Sequence, residues 1–415
     1  MKKLLFLLSM IVSVANAQDL ARRLHDTHEQ YKEPSLKERR FKHVDVQPLI
    51  EKLKTNALYE VSVVGQSLEG RSISMIKTGK GKTKVLFWSQ MHGDEPTATM
   101  ALFDIFNFLM KSGDEFDGLR KQILENTTLY FVPMLNPDGA EVYKRRTALD
   151  IDMNRDALRL QTPEGRLLKQ LQQTLKPEFG FNLHDQSPRY SAGQTGNLAT
   201  ISFLATAYDH ARSMNEVRRR SMQLIVSMNQ HLQKFIPNQV ARYSDEHEPR
   251  AFGDNIQKWG TSLVLIESGG YKNDPEKMYI RQLNYVAMLT GLQAIASGTY
   301  AQADIKKYEQ IPENGRAIFD LIIRNATILR NGEPVKVDVG INRNEMPTNL
   351  PVKWFIRGVV EDLGDLSTFF GTDEIDATGL ILEASEDLRM GLKADFTLKK
   401  EGQTIYTVKN GVIVK

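Results

Sequence analysis

Four short runs of almost uninterrupted apolar residues set what this chain can fold into. They lie at 84–90 (KVLFWSQ), 128–135 (TLYFVPML), 178–183 (EFGFNL) and 261–268 (TSLVLIES). Each is rich in aromatic or branched residues, and each is too short for an ordinary buried helix. Such runs suit strands at the centre of a sheet covered on both faces. Between them the spacing predicts helices, one from Pro96 to Met110 and one over roughly 205–235 with Met214, Ile225 and Leu232 on its apolar side. Residues 18–60 read as helical and polar, with Leu49, Ile50 and Leu53 as contacts, and the alternating stretch 59–79 reads as a hairpin turning at Glu69-Gly70. The expectation for about 60–300 is an α/β fold, a twisted, mostly parallel mixed sheet flanked by helices.

The strands end on unusual residues. The first runs into Met91-His92-Gly93-Asp94-Glu95, the third into His184, and the fourth carries Glu267 at its end. Ligands of open parallel sheets bind at that edge. A histidine and an acid three apart at a strand-to-helix turn can converge on one metal ion, and Gly93 is expected to permit the tight bend. An isolated H-x-x-E is a weak signal whose bland reading is a polar surface turn. Two histidines and two glutamates at three strand ends are hard to attribute to packing. The strand ending at Leu135 leads into Asn136-Pro137-Asp138-Gly139, a turn by composition, then Arg145 and the stretch DIDMNRD at 150–156. Asn154 beside Arg155 offers neutral and charged donors suited to a carboxylate. Either arginine alone would read as a surface ion pair. The remaining histidines (His25, His28, His43, His210, His231 and His247) are read as solvated surface, as is the run Arg218-Arg219-Arg220.

Composition narrows the function classes. The formal charge of +3 creates no field for nucleic acid or an anionic membrane. Cysteine is absent, which excludes disulfides, thiolate metal sites and a cysteine nucleophile. Lys2-Lys3, an apolar stretch from Leu4 to Val14 and Ala15-Asn16-Ala17 form a secretory signal pattern with cleavage after Ala17. No other stretch is apolar enough to span a bilayer, so none is expected after signal removal. The expected divisions are a signal peptide (1–17), a catalytic domain (18–303), a polar linker (304–317) and a small all-β domain (318–415), whose short strands alternate with turn residues.

In order and in kind, VGQSLEGRSI, HGDE, NPDG, DMNRD, NLHDQ and LIESGG resemble the zinc metallocarboxypeptidases of the carboxypeptidase A-like family. The resemblance covers about residues 60–270. It implies one zinc ion per catalytic domain held by His92, Glu95 and His184, with Glu267 as general base and Arg145 as the group that stabilises the oxyanion. It implies that Asn154 and Arg155 grip a terminal carboxylate, which makes the substrate a peptide or peptide-like molecule with a free carboxylate. Tyr243 is the candidate for the substrate-capping tyrosine, and the pocket for the substrate side chain is expected within 251–260. There Phe252 would suit an apolar and Asp254 a basic substrate residue. The interval from Arg155 to His184 is shorter than in the digestive members, and Asp185-Gln186 replaces their small residue and tyrosine. Deacylases of the aspartoacylase type resemble the same motif set, so N-acyl amino acids or cell-wall peptides are alternative substrates. An inactive peptide-end-binding homologue is the third reading. The C-terminal segment resembles the β-sandwich that flanks the barrel of amidohydrolases, without that family's metal-binding motif, and is read as a non-catalytic accessory module. Localisation is expected to be secreted or periplasmic.

Overall fold

The computed structural model describes residues 20–347 and 354–414, so the expected signal peptide lies outside the described residues. The chain divides into two units. The first runs up to Pro188 and resumes over Thr200–Glu313, and the second comprises Arg189–Ala199 with Asn314–Lys415.

In the first unit, eight strands form one mixed sheet. They are β1 (Glu60–Gln66), β2 (Ser72–Gly79), β3 (Thr83–Ser89), β4 (Thr127–Val132), β5 (Phe179–Asp185), β6 (Ile201–Leu204), β7 (Val240–Arg242) and β8 (Ser262–Ser268). Their order is β1-β2-β4-β3-β5-β8-β6-β7. The central four, β4-β3-β5-β8, are parallel, while β1, β2 and β6 join antiparallel. All four apolar runs are therefore neighbours at the centre, and every residue of β4 and β8 is buried.

An aromatic ladder fixes the register of three of these strands. Phe87 on β3 pairs with Phe131 on β4 and with Phe181 on β5, with ring centroids 4.7 and 4.4 Å apart. Each such pair adds about 0.5–1.5 kcal/mol beyond its buried area. A slip by one residue would turn every ring to the opposite face, so the ladder also fixes which residues leave the sheet at its C-terminal edge.

Helices cover the sheet: α1 (His43–Lys54), α2 (Thr97–Met110), α3 (Asp117–Asn126), the short α4 (Pro137–Glu141), α5 (Pro163–Leu175), α6 (Glu216–Leu232), α7 (Phe252–Lys258) and α8 (Met278–Ser297). The helix expected over 205–235 begins only at Glu216. The Asn215 side chain caps it by accepting from the Arg218 backbone N–H, and Met214 lies outside it, 41% exposed. Arg218 is also not a solvated cation. It is buried, donating to the carbonyls of Ala205 and Arg212 and pairing with Asp245. His28 departs from its surface reading in the same way. It is 1% exposed and bonded through Nε2 to Asp104 on α2, which Arg281 on α8 also grips. Arg281 neutralises Asp104, and Asp245 neutralises Arg218, which is what permits the burial of these charges.

The stretch 304–317, read as a linker, is packed in part. Tyr308 and Ile311 join the first unit's core, and the Tyr308 hydroxyl accepts from the Ala205 N–H.

The second unit is an all-β unit in which β9 (Ile318–Arg330), β10 (Glu333–Pro347), β11 (Trp354–Gly364), β12 (Phe370–Asp376), β13 (Ile381–Ala384), β14 (Phe396–Lys400), β15 (Gln403–Lys409) and β16 (Val412–Ile413) share one sheet. Leu321, Ile323, Val339, Ile341 and Leu398 form its core. Ser191-Ala192 pairs with Asn314-Gly315, and Arg189 forms an ion pair with Asp320, so Arg189–Ala199 is built into this unit.

Candidate metal centre and active site

The site is assembled at the C-terminal edge of the parallel strands. Beyond β3 the chain turns at Gln90, whose backbone is left-handed (φ 47°), and presents His92 and Glu95 before α2 begins. Gly93 is required for space rather than for a special φ. A Cβ there would sit 2.0 Å from the backbone carbon of Gly139 in α4, the short helix that stands where the composition suggested a turn. His184 comes from β5 and Glu267 from β8, and the two are register partners.

His92, Glu95 and His184 converge. Their ligand atoms all lie within 4.8 Å of one another, and all three residues are buried. Glu95 bridges the rings, with Oε1 2.8 Å from His92 Nδ1 and Oε2 2.6 Å from His184 Nδ1. The two Nδ1 atoms are 3.2 Å apart. Two imidazole nitrogens and a carboxylate facing one point are the donor set of a catalytic zinc site, which keeps a fourth position for water or substrate. The residues present therefore fit the ion.

The outer nitrogen of His92 is also held. Its Nε2 lies 3.1 Å from Asp152 Oδ1, which in addition accepts from the Asn154 backbone N–H at 2.9 Å. Such a carboxylate fixes the tautomer and the ring plane of a metal-binding histidine. Sequence reading did not single out Asp152. Its one signal was its place in DIDMNRD, two residues before Asn154.

The electrostatics suit a cation. Burial disfavours a charged His92, yet Glu95 and Asp152 outweigh it and raise the ring to about 9. Burial likewise opposes ionisation of Glu95, but His92 and His184 hold it well below the usual carboxylate range. Burial pushes His184 down. A metal ion replaces the protons on such ligands. Glu267 behaves oppositely, because burial and the nearby Glu95 carboxylate push it well above the ordinary value. Its Oε2 is buried without a hydrogen-bond partner.

Arg145 reaches the same point. Its Nη1 lies 3.1 Å from His92 Nδ1 and 3.2 Å from Glu95 Oε1, while Nε donates to Asp152 Oδ2 at 3.0 Å. Its side chain stays 43% exposed. Asn154 and Arg155 lie in the turn Met153–Arg155 that Asp152 begins. The Asn154 Oδ1 accepts from the Phe252 backbone N–H, and Arg155 Nε pairs with Glu248 at 3.3 Å.

Three further expected residues are held by other contacts. Tyr243 follows the edge strand β7, its N–H bonded to the Phe203 carbonyl. In the sheet order β7 is two strands from β8. Phe252 is fully buried in the apolar core, and the Asp254 carboxylate is engaged by His247 Nδ1 at 3.1 Å.

Residues 48–229 match the family model for zinc carboxypeptidases. Carboxypeptidase SOL1 of Arabidopsis thaliana is 30% identical over 109 residues, which is 25% of this chain and 21% of that protein. Carboxypeptidase E of Caenorhabditis elegans is 23% identical over 346 residues, 71% of this chain and 70% of its own length. The fold is similar to that of a metallo-carboxypeptidase from Burkholderia cenocepacia, with a TM-score of 0.52 at 15% identity over 62% of this chain and 70% of that one. This chain thus spans about a fifth of the length of SOL1 but most of the length of carboxypeptidase E. Residues 48–229 are thus similar to the zinc carboxypeptidase family. Glu267 lies beyond the matched segment, so its assignment rests on its position beside His184.

Proposed function

We propose that this chain is an exported, zinc-dependent carboxypeptidase that hydrolyses the C-terminal amide bond of a peptide or peptide-like substrate. The observation that carries the reading is the convergence of His92, Glu95 and His184 beside Glu267, whose Oε2 is buried and unpartnered. His92 Nδ1, Glu95 and His184 Nδ1 would hold the ion, and zinc bound there supplies Lewis acidity to a water and to the scissile carbonyl. Glu267 takes a proton from the attacking water and returns it to the amide nitrogen as the C–N bond breaks, a role suited to its raised proton affinity. Arg145 presents its guanidinium where negative charge develops on the carbonyl oxygen. Asn154 and Arg155 measure the chain end by binding the terminal carboxylate, which confines cleavage to the last residue.

Export rests on the pattern of residues 1–17, and among the described residues no helix is long and apolar enough to cross a membrane. The shortened interval between Arg155 and His184 favours a second reading, in which the amide belongs to an N-acyl amino acid or a cell-wall peptide.

The test is a substrate panel with metal analysis. Zinc should co-purify, a chelator should abolish turnover, and added zinc should restore it. Arg155→Ala should raise KM most for peptides with a free carboxylate. Equal effects on free and amidated peptides would remove the exopeptidase assignment. Turnover confined to N-acyl amino acids or muropeptides would establish the second reading in its place.

A further inference from the structure

We propose that Lys277 is a positioning residue of this site, its ammonium clamping together the strand ends that carry His184 and Glu267. The inference rests on the carboxypeptidase reading for its catalytic consequence, and on geometry alone for its effect on the metal ligands.

Lysine is a costly choice at position 277. The residue is 6% exposed, and lysines are almost never so buried unless paired. Its backbone is left-handed (φ 54°), a conformation unfavourable for a residue with a side chain. Glycine or asparagine would suit that conformation better at the start of α8, so the side chain accounts for the choice of lysine.

Its Nζ donates to Asp185 Oδ2 at 2.9 Å and to the Ser268 carbonyl at 2.8 Å. Asp185 directly follows His184, Ser268 directly follows Glu267, and the two are register partners at the last rung of β5 and β8. The same Asp185 Oδ2 accepts from Thr97 Oγ1 at 2.6 Å, at the first residue of α2 and two positions after Glu95. The Asp185 backbone N–H points to Glu95 Oε2 at 3.3 Å. One buried ion pair therefore joins the three segments that supply His92 with Glu95, His184 and Glu267. Asp185 is also where this chain departs from the small residue of the digestive enzymes it resembles. A network that restrains ligand-bearing segments holds donors at their bonding positions before the ion arrives.

The experiment compares Lys277→Met, Asp185→Asn, the double variant and the conservative Lys277→Arg in the full-length protein. Each is measured for zinc affinity by chelator competition, for kcat and KM, and for Tm without metal. Single variants leave one buried charge unpaired and should lose stability, whereas the double variant removes both charges and should recover most of it. The clamp predicts that zinc affinity and kcat stay about 10–100-fold low in the double variant, with KM changed by no more than about threefold. Lys277→Arg should restore part of both. A folded double variant with wild-type zinc affinity and kcat would overturn the proposal, as would a lowered Tm with zinc affinity unchanged. If the wild-type protein binds zinc but cleaves no peptide, the carboxypeptidase reading fails instead, and the zinc-affinity comparison still decides the clamp.

Discussion

His184 and Glu267 are register partners on adjacent parallel strands, so an imidazole and a carboxylate leave the sheet side by side. The neighbouring Glu95 carboxylate and the surrounding burial raise the proton affinity of Glu267. Glu267→Gln keeps the shape and removes the proton acceptor. The variant is expected to bind zinc as the wild type does and to lose roughly two to four orders of magnitude in kcat, the usual worth of a general base. Steady-state kinetics beside metal analysis checks it. Full activity in a zinc-loaded variant would assign the proton transfer to another group.

Asp152 links His92 to Arg145. Its Oδ1 holds His92 Nε2, and its Oδ2 holds the Arg145 guanidinium. Asp152→Asn exchanges an acceptor for an amide that can present a donor to the ring, which disturbs the tautomer needed for Nδ1 to face the ion. Zinc affinity should fall about 10–100-fold, read by chelator competition. Unchanged affinity would mean that the ring is oriented by packing alone.

The four residues at the strand ends were legible because a short apolar run must emerge at a sheet edge, and a histidine or acid at that point is conspicuous. The aromatic ladder then fixed the register that the runs implied. What escaped depended on partners distant in sequence. Asp104 sits among apolar helix residues, and nothing local indicates that His28 will bond to it and Arg281 neutralise it. Arg218 in a basic run reads as solvated until Asp245 and two carbonyls receive it. Gly93 was legible as important but for another reason, since the constraint comes from the backbone of Gly139 in α4 and not from its own φ. Lys277 carried no signal at all, because its partners lie on two strands formed far upstream of it or just before it.

Arg155 does not face solvent alone. Glu248 sits 3.3 Å from its Nε, in the place a substrate carboxylate would contest. Glu248 is held below its ordinary value, at about 2, chiefly by Arg250, with Arg155 contributing, so it is charged at neutral pH. Glu248→Gln should lower KM for substrates with a free carboxylate by about 2–5-fold, the scale of a partly exposed ion pair. KM for an amidated substrate should not move. A higher KM for the free acid would show that Glu248 orients Arg155 for the substrate instead of competing with it.

A pH-dependent instability is built into the first turn of α5. Glu164 is fully buried there, and burial pushes its carboxyl up to about 7, aided by Asp138 and only partly opposed by nearby backbone groups and Arg166. Between the unfolded value of roughly 4.5 and about 7, the folded state keeps a proton that the unfolded chain has lost. Stability from this residue is therefore intact below pH 4.5, falls across that window, and levels off above it. Glu164→Gln removes the titration while keeping the volume. The variant should exceed the wild type above pH 7, by on the order of 3 kcal/mol, and the gap should close by about pH 4.5. Urea unfolding of the zinc-loaded proteins at pH 4.5 and pH 8 measures it. An equal change at both values would report altered packing rather than a proton.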